Sequence, residues 1–203
     1  LYQDHQVTGP FDPSAADAGK RALAAAALRM QTIQDGGTLA ERAFKGATNM
    51  TEQLGALANL MSAGNGAEAT QSFYDQWRHE RLVIDKWFAP QVAEAPAKDA
   101  LPLSHTLSTH PDFTLRNPNR ARALIGTFAM TPAAFHQADG AGYAFIADML
   151  IDIDGLNPQL AARLSTVFET LPRFDADRQG HMRDAVDRIS AVTALSKDTR
   201  EMV

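Results

Sequence analysis

Six histidines, no cysteines and a scatter of carboxylates are the raw material for chemistry in this 203-residue chain. The histidines are His5, His79, His105, His110, His136 and His181. A helical zinc-peptidase site needs His-Glu-x-x-His, because that spacing puts two imidazoles on one helical face beside a carboxylate able to act as general base. His79-Glu80 starts the pattern, but Val83 stands where the second imidazole belongs. His105 and His110 are too badly spaced to share one helical face. Gly64-Asn65-Gly66-Ala67-Glu68-Ala69 imitates a dinucleotide fingerprint with no strand in front of it, so it reads as a loop between helices. Asp152-Ile153-Asp154-Gly155 imitates part of a calcium loop, yet Leu150 occupies the first ligand position. A Gly-x-Ser-x-Gly nucleophile elbow is absent. The expectation is a chain with no catalytic residue and no metal ligand set of its own.

One polar pattern is different. Gln159 and Arg163 are one helical turn apart, on the face opposite Leu160, Leu164 and Phe168. Arg122 likewise points away from Leu124, Ile125 and Phe128. Guanidinium groups offer forked donors suited to a carboxylate, so two arginines and a glutamine on neighbouring polar faces can serve an anion. Spacing alone equally allows ordinary surface residues with local ion pairs.

These side chains must be positioned by helices, because apolar residues recur at helical spacing and sustained two-residue alternation is missing. Residues 1–13 form an irregular opening segment, broken by Gly9-Pro10 and Pro13. Ser14 caps an Ala-rich helix to about Ile33, and Gly36-Gly37 ends it. A helix over Leu39–Ala47 follows, then one capped by Asn49 with Met50, Leu54, Leu57, Ala58 and Met61 inward. Helices over Ala67–His79 and Leu82–Ala93 carry Trp77 and Trp87. A joint is expected near 94–98, then a short helix Asp99–Ser108 disturbed by Pro102.

Asn117-Pro118 and Asn157-Pro158 each read as an N-cap followed by proline in the first helical position, where its missing N–H costs nothing. They open helices to about Phe128 and Leu171. Between them Tyr143, Ile146, Ala147, Leu150 and Ile153 form another apolar stripe, and a last helix from Asp175 buries Met182, Ala185, Val186, Ile189 and Val192. Roughly ten helices joined by short loops predict an all-α fold. Its expected form is one domain over 1–203, a superhelical stack of antiparallel helix pairs of the HEAT or armadillo kind.

Composition narrows the function. Nineteen Lys and Arg against 24 Asp and Glu give a formal charge of −5, which argues against a general nucleic-acid binder. The longest apolar run, Ala22–Leu28, is far below the ~18–20 residues of a membrane helix. Asp4, His5 and Pro10 spoil any signal peptide, and the lack of cysteine fits a reducing compartment, so a cytoplasmic location is expected.

The segment His110-Pro-Asp-Phe-Thr-Leu-Arg-Asn-Pro-Asn-Arg-Ala-Arg-Ala-Leu-Ile-Gly-Thr-Phe128 closely resembles the C-terminal domain of bacterial aminopeptidase N, the alanyl aminopeptidases of the gluzincin class. The similarity continues through Pro132–His136, Asp139–Tyr143, Asn157–Arg163 and Arg173–Gln179, and upstream through Asn49–Thr51 and Leu82–Phe88. In that family zinc and the catalytic glutamate belong to an upstream thermolysin-like domain, accompanied by β-rich domains. The resemblance implies an all-α body that closes over the active-site cleft, limits access to peptides and lines the wall beyond the scissile bond. The family's cleft-facing positions fall on Arg122, Gln159 and Arg163, the residues singled out by the polar faces. The implied function is that of a non-catalytic part of a zinc aminopeptidase. Its implied partners are the upstream domains of the same polypeptide and a peptide substrate, with no nucleic acid and no membrane. Two rivals are an independent helical adaptor binding a protein partner along a groove and a self-sufficient hydrolase.

Overall fold

The computed structural model describes all of residues 1–203 and contains helices and turns but no strand. No helix is long and apolar enough to cross a membrane. The chain folds as two compact units, Leu1–Glu94 and Ala95–Val203.

After a 3-10 turn over Gln3–His5 in the otherwise irregular opening segment, the first unit holds five α-helices: α1 (Ala15–Asp35), α2 (Thr38–Gly46), α3 (Met50–Ser62), α4 (Ala67–Trp77) and α5 (Arg81–Ala93). Each packs on the next or the next but one, the neighbour pattern of a helical repeat. The caps follow the sequence. Ser14 Oγ accepts from the Asp17 N–H, and Asn49 Oδ1 accepts from the Glu52 N–H at 3.0 Å. Between α1 and α2, Gly36 and Gly37 both have positive φ, 66° and 98°, which only glycine adopts without strain. Asn65, in the following α3–α4 turn, donates to the Gly36 carbonyl at 2.7 Å and ties the two turns together. The core includes Leu57, Phe73, Ile84, Phe88 and Val92, all essentially inaccessible. Each such side chain contributes about 1.5–3 kcal/mol by leaving water.

The inward face of α3 differs from the expected one. Gln53, Ala56, Leu57, Asn59 and Leu60 are buried, whereas Met50, Leu54, Ala58 and Met61 are only partly so. The reason is hydrogen bonding. Gln53 Oε1 accepts from Trp77 Nε1 at 2.7 Å and its amide donates to Gln76 at 2.9 Å, which lets a polar side chain sit in the core.

In the second unit α6 (Ala97–Ser108) runs straight through Pro102 and starts earlier than expected, after Pro96. Then come α7 (Pro118–Ala121), a π-helical turn over Arg122–Gly126, α8 (Thr127–Ala129) and α9 (Pro132–Phe135). The remaining elements are α10 (Ala141–Asp154), α11 (Pro158–Ser165), a 3-10 stretch Thr166–Arg173, α12 (Ala176–Ser190) and α13 (Lys197–Arg200). Helix α10 is the hub, packing on α9, α11 and α12. Its Tyr143, Ile146, Ala147, Leu150 and Ile153 are all buried, the stripe expected from spacing. Around it Phe128, Phe135, Phe145 and Tyr143 meet edge to face, with Phe135–Tyr143 centroids 5.0 Å apart and Phe128–Phe145 5.3 Å apart. The helix expected to reach Leu171 instead tightens to 3-10 geometry after Ser165, with Pro172 inside that stretch. Proline at 172 removes a backbone donor from that last turn.

Candidate functional site

Both arginines and the glutamine expected to serve an anion lie in the second unit, on elements started by Asn-Pro pairs. Asn157 Oδ1 accepts from the Leu160 N–H at 3.1 Å, and Pro158 opens α11. Leu160 and Ala161 turn inward and are buried. That fixes the rotation of the helix and leaves Gln159 and Arg163 exposed together on the opposite side. No hydrogen bond or ion pair within the chain engages either side chain.

Asn117 Oδ1 accepts from the N–H groups of Asn119 and Arg120, and Pro118 opens α7. The two arginines that follow then part company. Arg120 is buried and donates to the Asp112 carbonyl, a structural tie. Arg122 is exposed, and its Nη1 donates to Asn119 Oδ1 at 3.2 Å. Arg122 also begins the π-turn: its carbonyl accepts from the Thr127 N–H, five residues on. Such single widened turns offset the register of a helix and recur at functional sites.

The two elements meet at Gly126. A β-carbon there would lie 3.6 Å from Leu164 Cδ2 and 3.7 Å from Arg122 Cβ. Leu164 adjoins Arg163 in α11, so the arginine-bearing turn and the arginine-bearing helix are in contact at this glycine. Neither the spacing of Asn119 nor any letter pattern marks the π-turn. Gly126 could have been suspected, since a glycine inside a helix costs about 1 kcal/mol against alanine and needs a packing reason.

The histidines do other things. His136 Nδ1 lies 2.9 Å from the Tyr143 hydroxyl, and its ring stacks on Phe174 with centroids 3.9 Å apart. Burial, and then the positive charge of Arg178, hold its pKa below the ordinary imidazole value. Burial pushes the Tyr143 phenol up. His105 meets the ring of Phe145 edge-on at 4.7 Å, and His110 Nδ1 accepts from the Asp112 N–H at 3.1 Å. No three His, Asp or Glu side chains gather closely enough to hold a metal ion. Asp154, in the sequence that imitated a calcium loop, instead accepts from the Ser196 N–H, the Ser196 hydroxyl and the Thr199 hydroxyl.

A family model described as "Domain of unknown function (DUF3458_C) ARM repeats" matches residues 1–203. Aminopeptidase N of Caulobacter vibrioides is 41% identical over 208 residues, covering 100% of this chain and 24% of that protein. Aminopeptidase N of Escherichia coli K12 is 40% identical over 193 residues, covering 92% of this chain and 22% of that protein. A crystal structure of Legionella pneumophila aminopeptidase A in complex with aspartic acid matches with a TM-score of 0.87 at 28% identity, over 99% of this chain and 25% of that one. The chain therefore spans about a quarter of the length of these relatives. Armadillo-type repeats are the all-α class that the helical periodicities imply. With its whole length matched, the chain belongs to the DUF3458_C family of ARM-repeat domains and corresponds to the C-terminal part of aminopeptidase N proteins.

Proposed function

We propose that this chain is the non-catalytic C-terminal part of a cytoplasmic, zinc-dependent aminopeptidase that removes N-terminal residues from peptides. Its work there is to close over the active-site cavity, restrict access to peptides and supply a cationic wall for the distal part of the substrate. The observation that carries the reading is the pairing of a whole-length match to aminopeptidase N relatives with an Arg163 and a Gln159 that are exposed and free of partners within the chain. Long polar side chains lose conformational freedom when fixed, so leaving these two unfixed is consistent with an external partner.

Zinc belongs to the upstream domains of such an enzyme. With no cysteine and no cluster of three His, Asp or Glu, the residues of this chain do not fit it. Arg163 and Arg122 would instead donate to backbone carbonyls or to the C-terminal carboxylate of short peptides. Gln159 adds a neutral hydrogen bond, and Asn119 orients Arg122.

In the full-length enzyme, Arg163→Ala should raise KM for di- and tripeptides by roughly 10- to 100-fold, the effect of losing a charge-assisted hydrogen bond of about 1.5–3 kcal/mol. An amino-acid anilide, which lacks the distal groups, should be turned over nearly as before. Arg163→Lys should recover only part of the loss, because an ammonium cannot reproduce the planar fork. Equal losses on peptide and anilide would sink the assignment.

A further inference from the structure

The turn Gly64-Asn65-Gly66, which imitates a dinucleotide fingerprint, carries a different chemistry. When glycine follows asparagine, its nitrogen can attack the side-chain carboxamide, and no side chain on the glycine obstructs the approach. In this chain only Asn65 precedes glycine, while Asn117 and Asn157 precede proline, which has no N–H to give up. The Gly66 N–H has no acceptor within the chain, whereas the N–H groups of Gly36 and Gly140, which follow aspartates, are held by the Thr32 and Gln137 carbonyls. The carboxamide, by contrast, is fastened. Asn65 Nδ2 donates to the Gly36 carbonyl at 2.7 Å, and the Asn65 N–H donates to the Leu60 carbonyl at 2.9 Å. Asn65 also lines a cavity with Glu41, Lys45 and Glu68, two carboxylates to one ammonium. Gly66 has little slack: a β-carbon there would lie 2.9 Å from the Met61 backbone, and its carbonyl accepts from the Thr70 N–H at 2.8 Å and hydroxyl at 2.7 Å.

We propose that Asn65 is a site of spontaneous deamidation, a one-way latch between the α1–α2 and α3–α4 turns. When the turn opens and the carboxamide leaves the Gly36 carbonyl, the Gly66 nitrogen attacks Asn65 Cγ. A bond forms between them and the bond from Cγ to Nδ2 breaks. The Gly66 proton passes to solvent, and the departing nitrogen takes up a proton and leaves as ammonia. Water then opens the cyclic imide at either carbonyl, giving aspartate or isoaspartate, with no oxidant or reductant consumed. Neither product restores the latch. A carboxylate has no N–H to donate to the Gly36 carbonyl, and it adds a third negative charge to a cavity with one ammonium. Isoaspartate also inserts a carbon into the main chain at the point where Gly66 is pressed on Met61. Neither the aminopeptidase reading nor any role of Arg163 enters into this latch.

The full-length polypeptide carrying this chain is aged in mildly alkaline buffer with and without urea, and each asparagine is followed by fragmentation mass spectrometry. In urea Asn65 should convert at least about tenfold faster than any other asparagine of these residues, because only its neighbour lacks a side chain. In the native protein it should convert at least about tenfold more slowly than in urea, because only locally opened molecules react. Hydrogen exchange is then measured on the fully aged native protein and on Asn65→Asp. Both should exchange about tenfold faster than the fresh parent at the amides of residues 36–39 and 64–70, the effect of losing one hydrogen bond between the turns. The aged sample needs no variant, so the comparison survives if the substitution impairs folding. Conversion in urea no faster at Asn65 than at the other asparagines would overturn the site. Equal rates in native protein and in urea would overturn the latch, as would aged protein that exchanges like fresh.

Discussion

The side chain of Leu164 lies against Gly126, its Cδ2 3.6 Å from where a β-carbon on that glycine would be. This contact couples the π-turn that starts at Arg122 to the helix that carries Gln159 and Arg163. A methyl group fits, since its contacts would be ordinary van der Waals distances. Gly126→Ala should therefore be neutral or stabilising by up to about 1 kcal/mol, the helical preference of alanine over glycine. Gly126→Leu has no such room and should cost about 1–3 kcal/mol by overpacking. Urea unfolding of the two variants checks the sign. In the full-length enzyme the leucine variant should also raise KM for tripeptides, because it moves Arg122 relative to Arg163.

The helices were legible because their boundaries are written in residue types. Ser14, Asn49, Asn117, Asn157 and Asp175 each accept a backbone hydrogen bond as the cap their chemistry implies. The outward aspect of Arg163 was legible too, since buried Leu160 and Ala161 leave only one side for it. Two things were not. The face of α3 was misread because Gln53 and Asn59 look like surface residues until Trp77, Gln76 and the Gly55 carbonyl satisfy them. The π-turn at Arg122–Gly126 leaves no period in the letters, because a single widened turn does not change the apolar spacing on either side of it.

Asp154 anchors the end of the chain. It is buried, and its carboxylate receives the Ser196 N–H at 2.8 Å together with the hydroxyls of Ser196 and Thr199. Burial pushes its pKa up, but those hydrogen bonds outweigh burial and hold it below the ordinary carboxylate value. The folded state thus favours the ionised form. This contribution is complete above the unfolded pKa, about 3.9, and is lost as pH falls through the lower folded value. Asp154→Ala should cost about 2–4 kcal/mol, because several buried donors lose their acceptor at once. Limited proteolysis should then release the segment containing α13 at neutral pH, where the parent resists it. A variant whose α13 stays as protease-resistant as the parent's would show that the carboxylate is not the anchor.

His136 should make this fold sensitive to mild acid. Its ring is half-buried, stacked on Phe174 and bonded through Nδ1 to the Tyr143 hydroxyl, with Arg178 Nε donating to its carbonyl at 2.7 Å and Asp175 paired to Arg178. Burial first, and the Arg178 charge second, lower the pKa, so the folded state favours neutral imidazole. As pH falls below about 6.5 the unfolded chain takes up the proton first. The contribution of His136 is therefore whole above that pH and declines as pH drops toward the folded value. Urea unfolding at about pH 7.5 and 5.5 should show a smaller loss for His136→Phe, which keeps the ring stack and cannot titrate, than for the parent. Tyr143→Phe should lose roughly 1 kcal/mol at the higher pH, the net worth of one hydrogen bond. Groups titrating elsewhere contribute alike to parent and variant and cancel in the comparison. Equal losses in both proteins would mean that His136 is protonated as readily in the fold as in the open chain, and that the packing around Tyr143 carries no pH dependence.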